Sequence, residues 1–237
     1  PAGVVEKRTA DGTLLGIDQL ADIEVIDASN GALENTIDGT GGTGVSFVVD
    51  LGADALTLDG LALIDPELTE DFVVRGFWNV KGTENADEIK GNAGDNIIVG
   101  NGGDDTLVGS AGNDSLIGGL GTDTADYGDL GAAISFEQGG RVVKGAGGVL
   151  GTDQLGSFDP FEFIERVVAD PNFVNTLDNS GGSNISVEVD LDAGFVTATV
   201  ETPFSIGGTA FPAGTAFTVE VENFDDVVGT DFADSLA

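Results

Sequence analysis

Between residues 87 and 123 an oxygen-bearing side chain returns at every ninth position: Asp87, Asn96, Asp105, Asp114 and Asp123. The chemistry such oxygens offer is the holding of a hard cation, which takes about six to eight oxygens at about 2.3–2.6 Å from carboxylates and carbonyls. Alternatives built on other side chains are closed, since Cys, His and Met are all absent. That removes zinc fingers, thiol nucleophiles, disulfide staples and any mechanism with a histidine base. The crowding is severe in "GNAGDNIIVGNGGDDTLV" (91–108), where Asp95 adjoins Asn96 and Asp104 adjoins Asp105. Such neighbours repel one another unless the fold separates them or supplies a countercharge.

The elements that must position these residues are visible once Gly82 is taken as position one. Five nonapeptides follow: "GTENADEIK", "GNAGDNIIV", "GNGGDDTLV", "GSAGNDSLI" and "GGLGTDTAD". Position one is Gly82, Gly91, Gly100, Gly109 and Gly118, and position eight is Ile89, Ile98, Leu107, Leu116 and Ala125. A helical period cannot produce these columns, whereas a six-residue glycine turn followed by a three-residue strand does. Glycine admits the left-handed turn conformations, the apolar column points inward, and the turn exposes its carbonyls in one direction. Two stacked turns then close a cage of oxygens.

The nonapeptides resemble the G-G-x-G-x-D-x-U-x repeats of RTX (repeats-in-toxin, hemolysin-type) calcium-binding proteins. That resemblance implies an all-β fold in which two nonapeptides form one coil of a parallel β-roll, so that residues 18 apart stack on one edge. It further implies calcium sites: Asp87 with Asp105 and Asp105 with Asp123 on one edge, and Asn96 with Asp114 on the other, about three ions in all. Backbone carbonyls would complete the shells, from Thr83, Asn85, Gly100, Asn101, Gly103, Gly118, Gly119 and Gly121 on the first edge. Asn92, Gly94, Gly109, Ser110 and Gly112 would do so on the second. Two departures from the pattern stand out: Asn96 lacks the expected charge, which predicts a weaker site, and Asn85-Ala86 in the first repeat reads as a cap.

The flanks hold a longer repeat. "NTIDGTGGTGVSFVVDL" (35–51) matches "NTLDNSGGSNISVEVDL" (175–191), "VRGFWNVKGTENADEI" (74–89) matches "VENFDDVVGTDFADSL" (221–236), and "LGIDQL" (15–20) echoes "LGTDQL" (150–155). The reading is therefore a β-rich spacer at 1–81, an RTX roll at 82–127, a second spacer at 128–228, and the start of a further roll at 229–237 that includes Asp231 and Asp234. The ending and the missing initiator Met suggest a piece of a longer protein. "ISVEVDL" and "FTVEVENF" alternate apolar and polar residues as half-buried strands do, with Gly207-Gly208 and Pro212 marking a hairpin between them. "PFEFIERVVA" (160–169) is the one stretch whose pattern admits a helix. Trp78, Tyr127 and the Phe residues are expected in the core or as end caps.

Charge sets the function classes. Of 237 residues 42 are Asp or Glu and 8 are Lys or Arg, a formal charge of −34. Nucleic acid and anionic membranes need basic patches and are excluded as partners; cations are invited. No apolar run is long enough for a membrane span. Only 9 of the 42 acids lie in 82–126, so the general acidity needs its own account, in solubility or a salty medium. The leading expectation is a non-enzymatic, calcium-dependent structural or adhesive segment of a large secreted bacterial surface protein, of S-layer or adhesin kind. Its partners would be calcium, copies of itself or other surface components. The resemblance implies type I secretion and folding outside the cell. The alternatives are an accessory region of a secreted enzyme and an acid-rich halophilic scaffold. Ice binding would need flat Thr or Asn ranks, and position two offers short mixed ones: Thr83, Asn101 and Gly119, then Asn92 and Ser110.

Overall fold

The structure is a computed structural model and describes residues 3–8, 14–20, 25–28, 35–59, 70–156, 164–181, 184–206 and 209–236. The region before the nonapeptides contributes β1 (Gly3–Arg8), β2 (Leu14–Leu20), β3 (Val25–Asp27), β4 (Asn35–Asp38), β5 (Ser46–Asp50), β6 (Ala55–Asp59), β7 (Glu70–Arg75) and β8 (Phe77–Lys81). Within the nonapeptides run β9 (Glu88–Lys90), β10 (Ile97–Gly102), β11 (Thr106–Val108), β12 (Ser115–Leu120) and β13 (Thr124–Asp126). After them come β14 (Ile134–Glu137), β15 (Arg141–Lys144), β16 (Gly151–Leu155), β17 (Arg166–Val168) and β18 (Thr176–Asp178). The last are β19 (Ile185–Asp190), β20 (Phe195–Val200), β21 (Phe204–Ile206), β22 (Thr209–Phe211), β23 (Ala216–Glu222), β24 (Asp226–Val228) and β25 (Ser235–Leu236). A 3₁₀ turn at Ala146–Gly148 is the one helical element among the described residues.

Short strands between glycine turns put alternate nonapeptides into opposite sheets. β9, β11 and β13 pair in parallel in a twelve-stranded sheet, while β10 and β12 pair in parallel in a nine-stranded one. Two nonapeptides therefore make one coil, and partners in register are 18 residues apart, as Leu107 is from Ala125 and Ile98 from Leu116. The position-eight residues Ile89, Ile98, Leu107, Leu116 and Ala125 are fully buried between the sheets.

Both sheets run on past the nonapeptides. In the larger sheet the aliphatic column passes from Val49 through Ile89, Leu107 and Ala125 to Val167 and Val221, every step a parallel register pair. In the smaller it passes from Ile37 through Val80, Ile98 and Leu116 to Leu155. Positions 82 and 127 thus bound a sequence register, and hydrogen bonding continues across both through the β5, β8, β16 and β17 pairings.

The long repeat of the flanks reappears as a repeated pairing scheme. β3 with β7, β4 with β8 and β5 with β9 are parallel pairs, matched by β17 with β23, β18 with β24 and β19 with β25. The antiparallel run β5, β6, β7 is matched by β19, β20, β23, and the pair β1 and β2 by β15 and β16.

Three local expectations change. Arg166–Val168 is strand, not helix, because Val167 fills the aliphatic column between Ala125 and Val221; residues 160–163 lie outside the described ones. The strands at 185–190 and 216–222 do not pair with each other, since β20 lies between them; between them in sequence β21 pairs antiparallel with β22, and residues 207–208 lie outside the described ones. Tyr127 is buried, but Trp78 is 43% exposed, its ring lying over Gly94 where no side chain intervenes.

Candidate metal centre

Stacking turns 18 residues apart lines up their position-six residues. The backbone N–H of Asp87 donates to Oδ1 of Asp105 (2.8 Å), that of Asp105 to Oδ1 of Asp123 (2.9 Å), and that of Asn96 to Oδ1 of Asp114 (2.9 Å). Each carboxylate is thereby pinned by one oxygen to the preceding coil, leaving the other to face the turn. The ladder continues outside the nonapeptides: Asp123 N donates to Oε2 of Glu165 (2.8 Å), Asp114 N to Oδ1 of Asp153 (3.0 Å), and Phe47 N to Oδ1 of Asp87 (2.5 Å). Position five forms a separate, exposed ladder, in which Asp95 accepts from Asn113 N and Asp104 from Thr122 N, both at 2.8 Å. Neighbouring acids such as Asp104 and Asp105 therefore belong to different rows.

The carbonyls come equally close. A Cβ placed on Gly100 would overlap Oδ2 of Asp105 and sit 2.5 Å from the Gly118 oxygen; on Gly82 it would overlap Oδ2 of Asp87 and sit 2.6 Å from the Gly100 oxygen. On the other edge a Cβ on Gly91 would overlap Oδ1 of Asn96 and lie 2.8 Å from the Gly109 oxygen. In the opposite direction the oxygens of Asn85, Asn101 and Gly103 abut Gly103, Gly119 and Gly121 of the next coil, and those of Gly94 and Gly112 abut Gly112 and Gly151. The Thr83 oxygen accepts from Gly102 N (3.3 Å) and the Ser110 oxygen from Lys144 Nζ (2.7 Å). Asn92 and Gly119 are position two of their turns and Gly121 is position four.

Charge accumulates here without release. Asp87, Asp105, Asp114 and Asp123 are all buried, and Oδ2 of Asp105 and Oδ2 of Asp123 have no hydrogen-bond partner. A buried unpartnered carboxylate oxygen is costly unless it is protonated or meets a cation. Burial pushes the Asp105 carboxyl up to about 8, and the carboxylates of Asp123, Asp87 and Asp104 add to the shift against the Asp87 N–H bond. Asp123 rises to about 6 through burial and the proximity of Glu165 and Asp104. Among the described residues no three acidic side chains converge on one point, so a cation here takes most of its ligands from carbonyls. Hard oxygens, stranded carboxylates and closely packed carbonyls fit calcium.

The remaining expected residues are arranged differently. Asp87 is already satisfied by Phe47 N, Thr83 N (2.5 Å) and Thr83 Oγ1 (3.0 Å); burial still moves its carboxyl up. Asp234, its counterpart in "GTDFAD", has the same three donors in Val187 N, Thr230 N and Thr230 Oγ1. There slight burial is outweighed by those bonds and the carboxyl is held below its ordinary value. The Asn96 amide Oδ1 accepts from Asn92 N (2.9 Å) and its Nδ2 donates to the Trp78 oxygen (2.7 Å). Asp114 differs most, because its Oδ2 meets the ammonium of Lys144 at 2.8 Å. Burial raises Asp114 to about 7, with the Lys144 hydrogen bond pulling the other way and the Asp153 charge pushing up.

Asp153, Glu165 and Lys144 were not reached from the nonapeptide register. Their spacing is broken by inserted chain: Asp153 follows Asp114 by 39 residues and Glu165 follows Asp123 by 42. A signal for Asp153 exists in "LGTD", which occurs at 120–123 and again at 150–153. Lys144 and Glu165 carry no local motif.

A family model described as the RTX calcium-binding nonapeptide repeat (4 copies) matches residues 81–116 and 99–129. No curated protein matches the chain. The matched span contains the coil register, the stranded carboxylates and the facing carbonyls together. Residues 81–129 of this chain are accordingly a roll of RTX calcium-binding nonapeptide repeats.

Proposed function

We propose that the chain is a calcium-dependent structural segment of a large secreted bacterial surface protein, of adhesin or S-layer kind, which folds on meeting calcium outside the cell. The observation that carries the calcium dependence is the pair of buried, unpartnered oxygens on Asp105 and Asp123. Calcium would be held by Asp87, Asp105 and Asp123 with the Asn101, Gly103, Gly100 and Gly118 carbonyls around them. The ion supplies the countercharge that lets these turns stack. Because ligands gather only in the folded chain, binding free energy becomes folding free energy. An unfolded chain in calcium-poor cytosol would suit one-step export, and folding would follow where the ion is abundant.

A structural rather than catalytic role is supported by the placement of the acids in long ladders across stacked coils, with their N–H partners fixed by the sheet. The tandem pairing scheme suits an extended surface protein. No described helix is long and apolar enough to cross a membrane. The test is far-UV circular dichroism and melting temperature during calcium titration, against magnesium and sodium at matched ionic strength. Calcium is expected to raise the melting point at concentrations where the others do nothing. An equal response to sodium would sink the reading and favour a salt-adapted acidic scaffold.

A further inference from the structure

We infer that Lys144 is a tethered cation: its ammonium takes the place of a calcium ion between Asp114 and Asp153, so that this stage of the roll closes without metal. The inference rests on the calcium reading of residues 81–129.

The ammonium is wholly buried and meets three oxygens: the Ser110 carbonyl at 2.7 Å, Oδ2 of Asp114 at 2.8 Å and Oδ1 of Asp153 at 2.5 Å. Ser110 and Asp114 are positions two and six of their turn, as Asn101 and Asp105 are of theirs. Asp153 then accepts from Asp114 N just as Asp123 accepts from Asp105 N. The three oxygens around Lys144 are thus the counterparts of Asn101 O, Asp105 and Asp123 on the opposite edge. On that edge no ammonium arrives among the described residues, and Oδ2 of Asp105 and of Asp123 are stranded; on this edge no oxygen of Asp114 or Asp153 is. Tyr127 Oη satisfies the last of them, donating to Oδ2 of Asp153 at 2.9 Å.

Delivery of the ammonium depends on the hairpin. β15 enters the smaller sheet antiparallel to β16, with Lys144 opposite Gly151 and Val142 opposite Asp153. The tandem copy keeps the arrangement: in β1 and β2, Lys7 stands opposite Gly16 and Val5 opposite Asp18. A chain with only 8 basic residues places a lysine at this register in both copies. A lysine removes the desolvation problem of two facing carboxylates permanently, whereas an ion does so only when it is abundant.

The test measures bound calcium per chain by equilibrium dialysis, together with folding by circular dichroism. Lys144→Met keeps the side-chain bulk and deletes the charge, and it is expected to bind one more calcium than the wild type and to need a higher calcium concentration than the wild type to fold. Lys144→Met with Asp153→Asn should fold and lose that extra equivalent. In the otherwise unchanged chain, Asp114→Asn should leave the calcium count as it was, whereas Asp105→Asn should lower it. The inference is overturned if Lys144→Met folds with an unchanged count, if it fails to fold at saturating calcium, or if Asp114→Asn loses an ion. A wild type that takes up no calcium fails the calcium reading itself and this inference with it.

Discussion

Asp105 sits between two other position-six carboxylates, and its environment makes two predictions. Its carboxyl and that of Asp123 are raised in the folded chain, to about 8 and about 6, from an ordinary value of 3.8. The folded state then holds more protons than the unfolded one across that interval, so stability falls as pH rises. In chelator the melting temperature should therefore decline from pH 4 to pH 8, and saturating calcium should abolish the decline because the ion displaces those protons. A melting temperature that climbs with pH in chelator would contradict this. The second prediction is a crossing: Asp105→Asn should melt above wild type in chelator at pH 8, by about 2–4 °C for each kcal/mol of relieved repulsion, and below it in calcium. At this scale the sequence read well for Asp87, Asp105 and Asp123, whose spacing alone stacks them. It read poorly for Asp114, whose partner is a lysine 30 residues away on a strand outside the nonapeptides.

At the scale of the element, the turn tolerates no side chain where coils touch, and the strand tolerates no gap. Gly121 has φ +145° and a Cβ there would overlap the Gly103 oxygen, so backbone would have to move against backbone. Gly121→Ala should cost more than about 2 kcal/mol and weaken calcium binding with it. Leu107→Ala empties a fully buried place in the column and should cost about 2–5 kcal/mol, read from denaturant unfolding in calcium. The strands β9 to β13 were legible because a nine-residue period with one apolar column has a single structural solution. β17 was not, since Arg166–Val168 is strand through its neighbours Ala125 and Val221 rather than through its own pattern.

At the scale of the whole molecule, the two sheets cross the sequence boundaries at 82 and 127 without losing a pairing. Cooperativity follows shared burial and hydrogen bonding, so calorimetry in calcium should show one main transition for the roll and its adjoining coils. Separate transitions for 35–81, 82–127 and 128–228 would count against this. The sequence by itself determined the nonapeptide register, the inward aliphatic column, the pairing of acids 18 apart and the tandem module, because each depends on spacing along the chain. The tertiary structure decided which carboxylates remain stranded and which are answered by Lys144, Thr83 or Phe47. It also decided that the flanks prolong the roll. Those outcomes depend on which distant strands dock on a coil, and insertions of irregular length between β13 and β17 hide that from any local period.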